Sequence, residues 1–224
     1  APQIAYYTAG IATLFFLGRA WQCRRERPLR RIVPLFALAL VLSSGLGAVQ
    51  LLPTYELTGY SERAGGVSYD FITRFPYALA NLKTFLYPLV NGTPGTGDQT
   101  VSSIFWEDYF YLGLVPLMLG LVGGLVLAWR SGLVRLLAGL TALTFLLALG
   151  PNTSFFRLVY QLVPGMGFFR FPQRFFAFAV LFLSVLAALA LTRLQMWLRQ
   201  RSGRGKRASE RGRNLSRTSA LLFD

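Results

Sequence analysis

Five stretches of nearly unbroken apolar residues dominate the chain, at residues 4–21, 32–52, 109–129, 133–149 and 175–197. A helix needs about 20 such residues, rising 1.5 Å each, to cross a hydrocarbon core of about 30 Å. The runs are apolar on every face. A transmembrane β-barrel would instead show short segments alternating with period two, so the pattern predicts helices. The expected fold is an all-α polytopic transmembrane bundle of about five spans over residues 1–192, with two longer connecting segments at 53–108 and 150–174. Composition agrees: 54% of the residues are hydrophobic and 14% charged, against about 45–50% and about 25% in soluble domains.

The few charges are strongly one-sided, with 23 Lys and Arg against 9 Asp and Glu for a net +14. Charge alone would suggest a nucleic-acid partner, and the apolar runs exclude that reading. The excess lies between the spans. Arg19, Arg24, Arg25, Arg27, Arg30 and Arg31 against Glu26 follow the first run, Arg130 and Arg135 lie between the third and fourth, and the tail after Arg193 is Arg-rich. The segments at 53–108 and 150–174 balance each other in charge. This positive-inside asymmetry predicts a multi-pass cell-membrane protein with its N-terminus outside and its C-terminus cytoplasmic. Residues 199–224, rich in Arg, Ser and Gly, are expected to form a disordered cytoplasmic tail attracted to anionic lipid.

Histidine is absent, which excludes a Ser-His-Asp triad and imidazole ligation of a metal. The single cysteine, Cys23, lies among arginines on the expected reducing side and reads as inert. No cofactor signature is present, no metal ligand set is assigned, and a divalent cation is compatible with the outer carboxylates. Because the sequence opens Ala1-Pro2-Gln3, it is expected to be a piece of a longer protein.

Function is expected on the outer side, since the runs hold almost no ionisable groups. In the first outer segment Pro53 is expected to stop a helix and leave Glu56 at the membrane surface, where a carboxylate can orient a hydroxyl or a metal ion, with Arg63 as its alternative partner. A helix is expected from Pro76 to Tyr87 with Pro76 in its first position. Glu107 and Asp108, beside Trp106 and Tyr109, read as an interfacial charge pair. In the second outer segment a short helix before Pro164-Gly165 is followed by Phe169-Arg170-Phe171-Pro172-Gln173-Arg174. Two guanidiniums separated by a proline suit a phosphate or pyrophosphate, because each offers a planar pair of donors; snorkelling toward lipid phosphates is the plainer alternative. Asn91-Gly92-Thr93 and Asn152-Thr153-Ser154 match the glycosylation pattern without implying a role.

Taken in order, Gln50-x-x-Pro53-Thr54-x-Glu56, Ser61-x-Arg63, Tyr111-x-Gly113, Gly150, Pro164-Gly165 and Phe169-Arg170-x-Pro172-x-Arg174 resemble the YfhO-type bacterial integral membrane proteins over residues 35–191. The resemblance implies a GT-C-like glycosyltransferase that takes a sugar from a polyprenyl-phosphate carrier and attaches it to a cell-envelope polymer or lipid. Arg63, Arg170 and Arg174 would then neutralise the carrier phosphate, the spans would hold its isoprenoid, and Glu56 would belong to the rim. The outer loop that carries the catalytic acid in such enzymes is expected to be missing from this piece. The partners implied are a lipid-linked sugar phosphate and membrane lipids, with no nucleic acid. A lipid flippase or exporter subunit, and a non-catalytic structural membrane protein, are the alternatives.

Overall fold

The structure is a computed structural model and describes residues 2–26, 29–60, 67–92 and 105–220. It is all-helical, with no strand among the described residues. Helix α1 covers Pro2–Gln22 and α2 Leu29–Gly59; α3 (Tyr69–Ile72) is a single turn, and α4 covers Phe105–Asp108. Helix α5 (Leu114–Ala128), α6 (Gly132–Ala148), α7 (Ser154–Leu162) and the 45-residue α8 (Phe176–Ala220) complete the set. Four 3₁₀ turns, at Leu79–Phe85, Gly150–Asn152, Met166–Phe168 and Pro172–Phe175, join them.

The core forms where α5 and α6 lie against the first half of α8. Leu117, Leu137, Leu140, Phe182, Leu183 and Leu186 are buried there. At one end of it Phe176, fully buried, stands among the rings of Tyr77, Phe85, Phe110 and Phe145 at centroid distances of 4.8–5.4 Å. Small residues let α5 approach α8 closely. A Cβ built on Gly120 would stand 2.7 Å from the Leu183 carbonyl oxygen, and one on Gly123 only 2.2 Å from the Ala190 Cβ. Ser131 caps α6 by accepting from the Val134 amide, and Gln22 at the end of α1 donates to the Gly132 carbonyl at 2.8 Å. The C-terminal end of α1, the α5–α6 turn and the middle of α8 therefore share one end of the molecule. Trp21, Trp129 and Trp197 are exposed at these positions, with Arg24 over Trp21 at 4.0 Å and Arg201 over Trp197 at 4.1 Å.

Two described helices are long and apolar enough to cross a membrane, Leu29–Gly59 and Pro172–Arg201. Of the remaining expected spans, α5 and α6 are apolar but have 15 and 17 residues, about 22 and 25 Å of helix. Helix α5 begins at Leu114 rather than at residue 109, because Gly113 adopts φ 93°, a backbone conformation that does not propagate a helix. Helix α2 is the most exposed element. It buries no residue, and Leu46 and Val49 are 85% and 86% exposed. Its ring contact with α1 is the Phe16–Phe36 stack at 4.0 Å.

Three expectations change. Pro53 does not stop α2, which runs on to Gly59; a proline removes only one amide donor, the one that would have bonded the carbonyl four residues earlier, and the helix continues on either side of it. The helix expected over Pro76–Tyr87 is a 3₁₀ segment at Leu79–Phe85, because Asn81 and Thr84 are fully buried and their bonding shapes the turn. Asn91 donates to the Asn81 Oδ1 at 2.7 Å, and Thr84 donates to the Asn81 carbonyl at 2.7 Å. The tail expected to be disordered continues α8 to Ala220; once a helix is nucleated, each added residue fixes one more hydrogen bond and extension is cheap.

Neither glycosylation-like asparagine is free. Asn91 is engaged as described, and Asn152 donates to the Tyr77 carbonyl at 2.8 Å. Burial, and then the Asp108 carboxylate, push the Tyr77 phenol well above its usual pKa, so it stays neutral.

Candidate functional site

Helix α7 ends at Leu162 ahead of Pro164, and Gly165 turns the chain with φ 88°. A side chain there would be strained and would meet the Tyr6 ring at 3.3 Å. Gly165→Ala is therefore expected to cost about 1–2 kcal/mol of stability, read as a lowered unfolding midpoint in detergent. After the 3₁₀ turn at Met166–Phe168 the chain runs extended to Phe171, whose φ of 62° is uncommon for a residue with a side chain. Pro172 then starts the turn that leads into α8. Phe171 is thus the pivot that separates Arg170 from Arg174.

Gln3, 6% exposed, fastens this segment to α1. Its amide nitrogen donates to the Tyr7 hydroxyl at 3.0 Å, to the Arg170 carbonyl, and at 3.4 Å to the Phe171 carbonyl. Its oxygen accepts from Arg174 Nη1 at 2.8 Å. Around it Tyr7 stacks on Phe175 at 4.0 Å, and Tyr6 packs on Phe169 at 5.1 Å.

The two arginines are not equivalent. Arg174 forms a two-pronged pair with Glu107: Nε donates to Oε2 at 2.7 Å and Nη2 to Oε1. Its charge is thereby compensated and its plane fixed. Arg170 lies over Phe71, Phe75 and Phe171 at 4.7, 5.2 and 5.4 Å. Its Nε is buried with no hydrogen-bond partner among the described residues. A buried donor left without an acceptor is costly.

Both guanidiniums open onto a cavity of about 430 Å³. Pro2 and Gln3 of α1, Leu51, Thr54, Tyr55 and Thr58 of α2, and the Phe168–Phe171 strip line it. Apart from the arginines, Gln3 and three hydroxyl groups, the walls are apolar. Such a space suits an amphiphile with an anionic end.

Of the residues expected to form the site, Arg170 and Arg174 come together. Glu56 does not join them: it is exposed on α2 and is absent from the lining, because the uninterrupted helix turns it about 200° from Thr54. Arg63 lies outside the described residues. Gln3 and Glu107 are components that sequence reasoning missed, since each pairs with Arg174 across 171 and 67 residues. Glu107 is therefore a buttress for Arg174 rather than half of a surface charge pair. The described residues bring together no group of three carboxylates or thiols that could hold a metal ion. No protein-family model matches the chain, and no curated protein or solved structure matches it either.

Proposed function

We propose that this chain is part of a membrane glycosyltransferase of the GT-C-like, YfhO-type class, taking a sugar from a polyprenyl-phosphate carrier to a cell-envelope polymer or lipid. The observation that carries the reading is the Arg170 guanidinium, without a carboxylate partner among the described residues, in the lining of a largely apolar cavity. The carrier phosphate would accept from Arg170, with Arg174 as a second, partly compensated cation and Arg63 as a further candidate. The isoprenoid would lie along α1 and α2, and the five apolar segments would form the membrane region, N-terminus outside. The extensive exposed apolar surface of α2 favours a lipid setting, in which that exposure costs nothing. In the transfer step the acceptor hydroxyl oxygen bonds the anomeric carbon as the bond from that carbon to the phosphate oxygen breaks, and the hydroxyl proton passes to the departing phosphate. Arg170 stabilises the charge gathering on the departing phosphate.

Farnesyl phosphate and farnesol, titrated against the protein in neutral detergent, test the reading. The phosphate is expected to bind about tenfold more tightly, and Arg170→Gln to remove that difference. In membranes the same variant should lower sugar transfer from a polyprenyl-phosphate donor by a similar factor. Equal binding of the two probes, or an Arg170→Gln protein that still prefers the phosphate, overturns it.

A further inference from the structure

At the opposite end of the molecule a second cavity, of about 770 Å³, opens between the end of α5, the start of α6 and the middle of α8. Arg130, Ser131, Arg193, Trp197 and Gln200 supply its polar lining. Neither Arg130 nor Arg193 has a carboxylate partner among the described residues. The cavity does not end there. Through Val126, Leu127, Arg193 and Leu194 it is continuous with a groove of about 640 Å³ between α5 and α8. That groove is lined from Leu114 to Leu127 by aliphatic side chains and by the close Gly123–Ala190 crossing, with almost nothing polar exposed.

The two spaces together have the outline of one molecule. Two uncompensated guanidiniums and an indole at the rim match a phosphate headgroup, the indole being the side chain that favours the bilayer interface. The groove follows α5 for about 18 Å, slightly more than one leaflet of a hydrocarbon core of about 30 Å, and apart from Arg193 at its end its lining is apolar. We infer that this end of the protein holds one anionic phospholipid, its phosphate between Arg130 and Arg193 and an acyl chain along the α5–α8 groove. A basic pocket between helices beside an apolar groove is a recurrent arrangement for anionic headgroups. This lipid is distinct from the carrier assigned to the Arg170 cavity, and the inference stands whether or not that reading holds.

Native mass spectrometry of the full chain in neutral detergent, titrated with dioleoyl phosphatidylglycerol, dioleoyl phosphatidylcholine and glycerol 3-phosphate, tests it. One phosphatidylglycerol should bind about tenfold more tightly than phosphatidylcholine. The Arg130→Gln/Arg193→Gln double variant, which keeps every basic residue of the tail, should lose the preference. Val122→Trp, which fills the groove, should weaken both lipids alike while the preference survives. Glycerol 3-phosphate at the same concentration should displace neither lipid. Equal affinity for the two lipids overturns the inference. So does a preference kept by the double variant, which would assign it to the tail, or displacement by glycerol 3-phosphate, which would mean a simple anion site. Should the double variant not fold, an unweakened Val122→Trp protein overturns it alone.

Discussion

Arg174→Ala is expected to lower the unfolding free energy by about 3 kcal/mol, measured as denaturant or thermal unfolding in detergent. The residue holds three contacts at once. It closes the two-pronged pair with Glu107 and donates to Gln3, which in turn fastens the Arg170–Phe171 backbone to α1. The side chains are 26% and 14% exposed, so truncation leaves a carboxylate that is largely out of water without its counter-charge. The reciprocal change separates stability from binding. Glu107→Gln should also destabilise, by about 1–2 kcal/mol, yet it removes the negative charge that offsets Arg174. Farnesyl phosphate should then bind about five- to tenfold more tightly, the size expected when a single charge a few ångströms away disappears. A Glu107→Gln protein that binds the probe more weakly, or no better, would mean that the cavity does not receive the anion.

Gly123→Val should cost about 3 kcal/mol, because the added carbons must occupy space held by Ala190. A Cβ at that position would lie 2.2 Å from the Ala190 Cβ, less than two methyl groups can share, so α5 and α8 must separate. Gly123→Ala should cost about 2 kcal/mol by the same route. Combining it with Ala190→Gly moves the methyl from one helix to the other, and most of the loss should be recovered. Gly139 supplies the control. A Cβ there meets nothing within 4 Å, so Gly139→Ala should be neutral or stabilise by up to about 1 kcal/mol. If Gly123→Ala alone were harmless, the close crossing of α5 and α8 would be wrong.

Helices were legible wherever apolar residues ran on without interruption, and α6, at Gly132–Ala148, lies within a residue of its expected limits. The ends were harder to read, because local signals compete there with tertiary ones. Pro53 reads as a stop when taken alone, but α2 continues through it to Gly59, and helical periodicity then turns Glu56 away from the cavity that Thr54 and Tyr55 line. The segment after Pro76 has a plausible apolar face, yet the buried Asn81, Thr84 and Asn91 set its geometry, and their mutual hydrogen bonds leave no periodic trace. In the site, Arg170 and Arg174 stood out because they flank Pro172. Their inequality did not, since it depends on Glu107 and Gln3, which reach Arg174 only after the chain has folded back on itself.

Helix α2 contributes Leu51, Thr54, Tyr55 and Thr58 to one wall of the arginine cavity, while its stacked ring, Phe36 against Phe16, lies some 18 residues earlier. It buries no residue between those points. About 27 Å of helix thus separates an aromatic pivot from the wall it carries. A tilt of about 5° at Phe36 displaces Thr54 by about 2 Å over that arm, enough to change whether a chain of methylenes slides in from the side. The bore of the cavity is therefore geared to the lean of one helix.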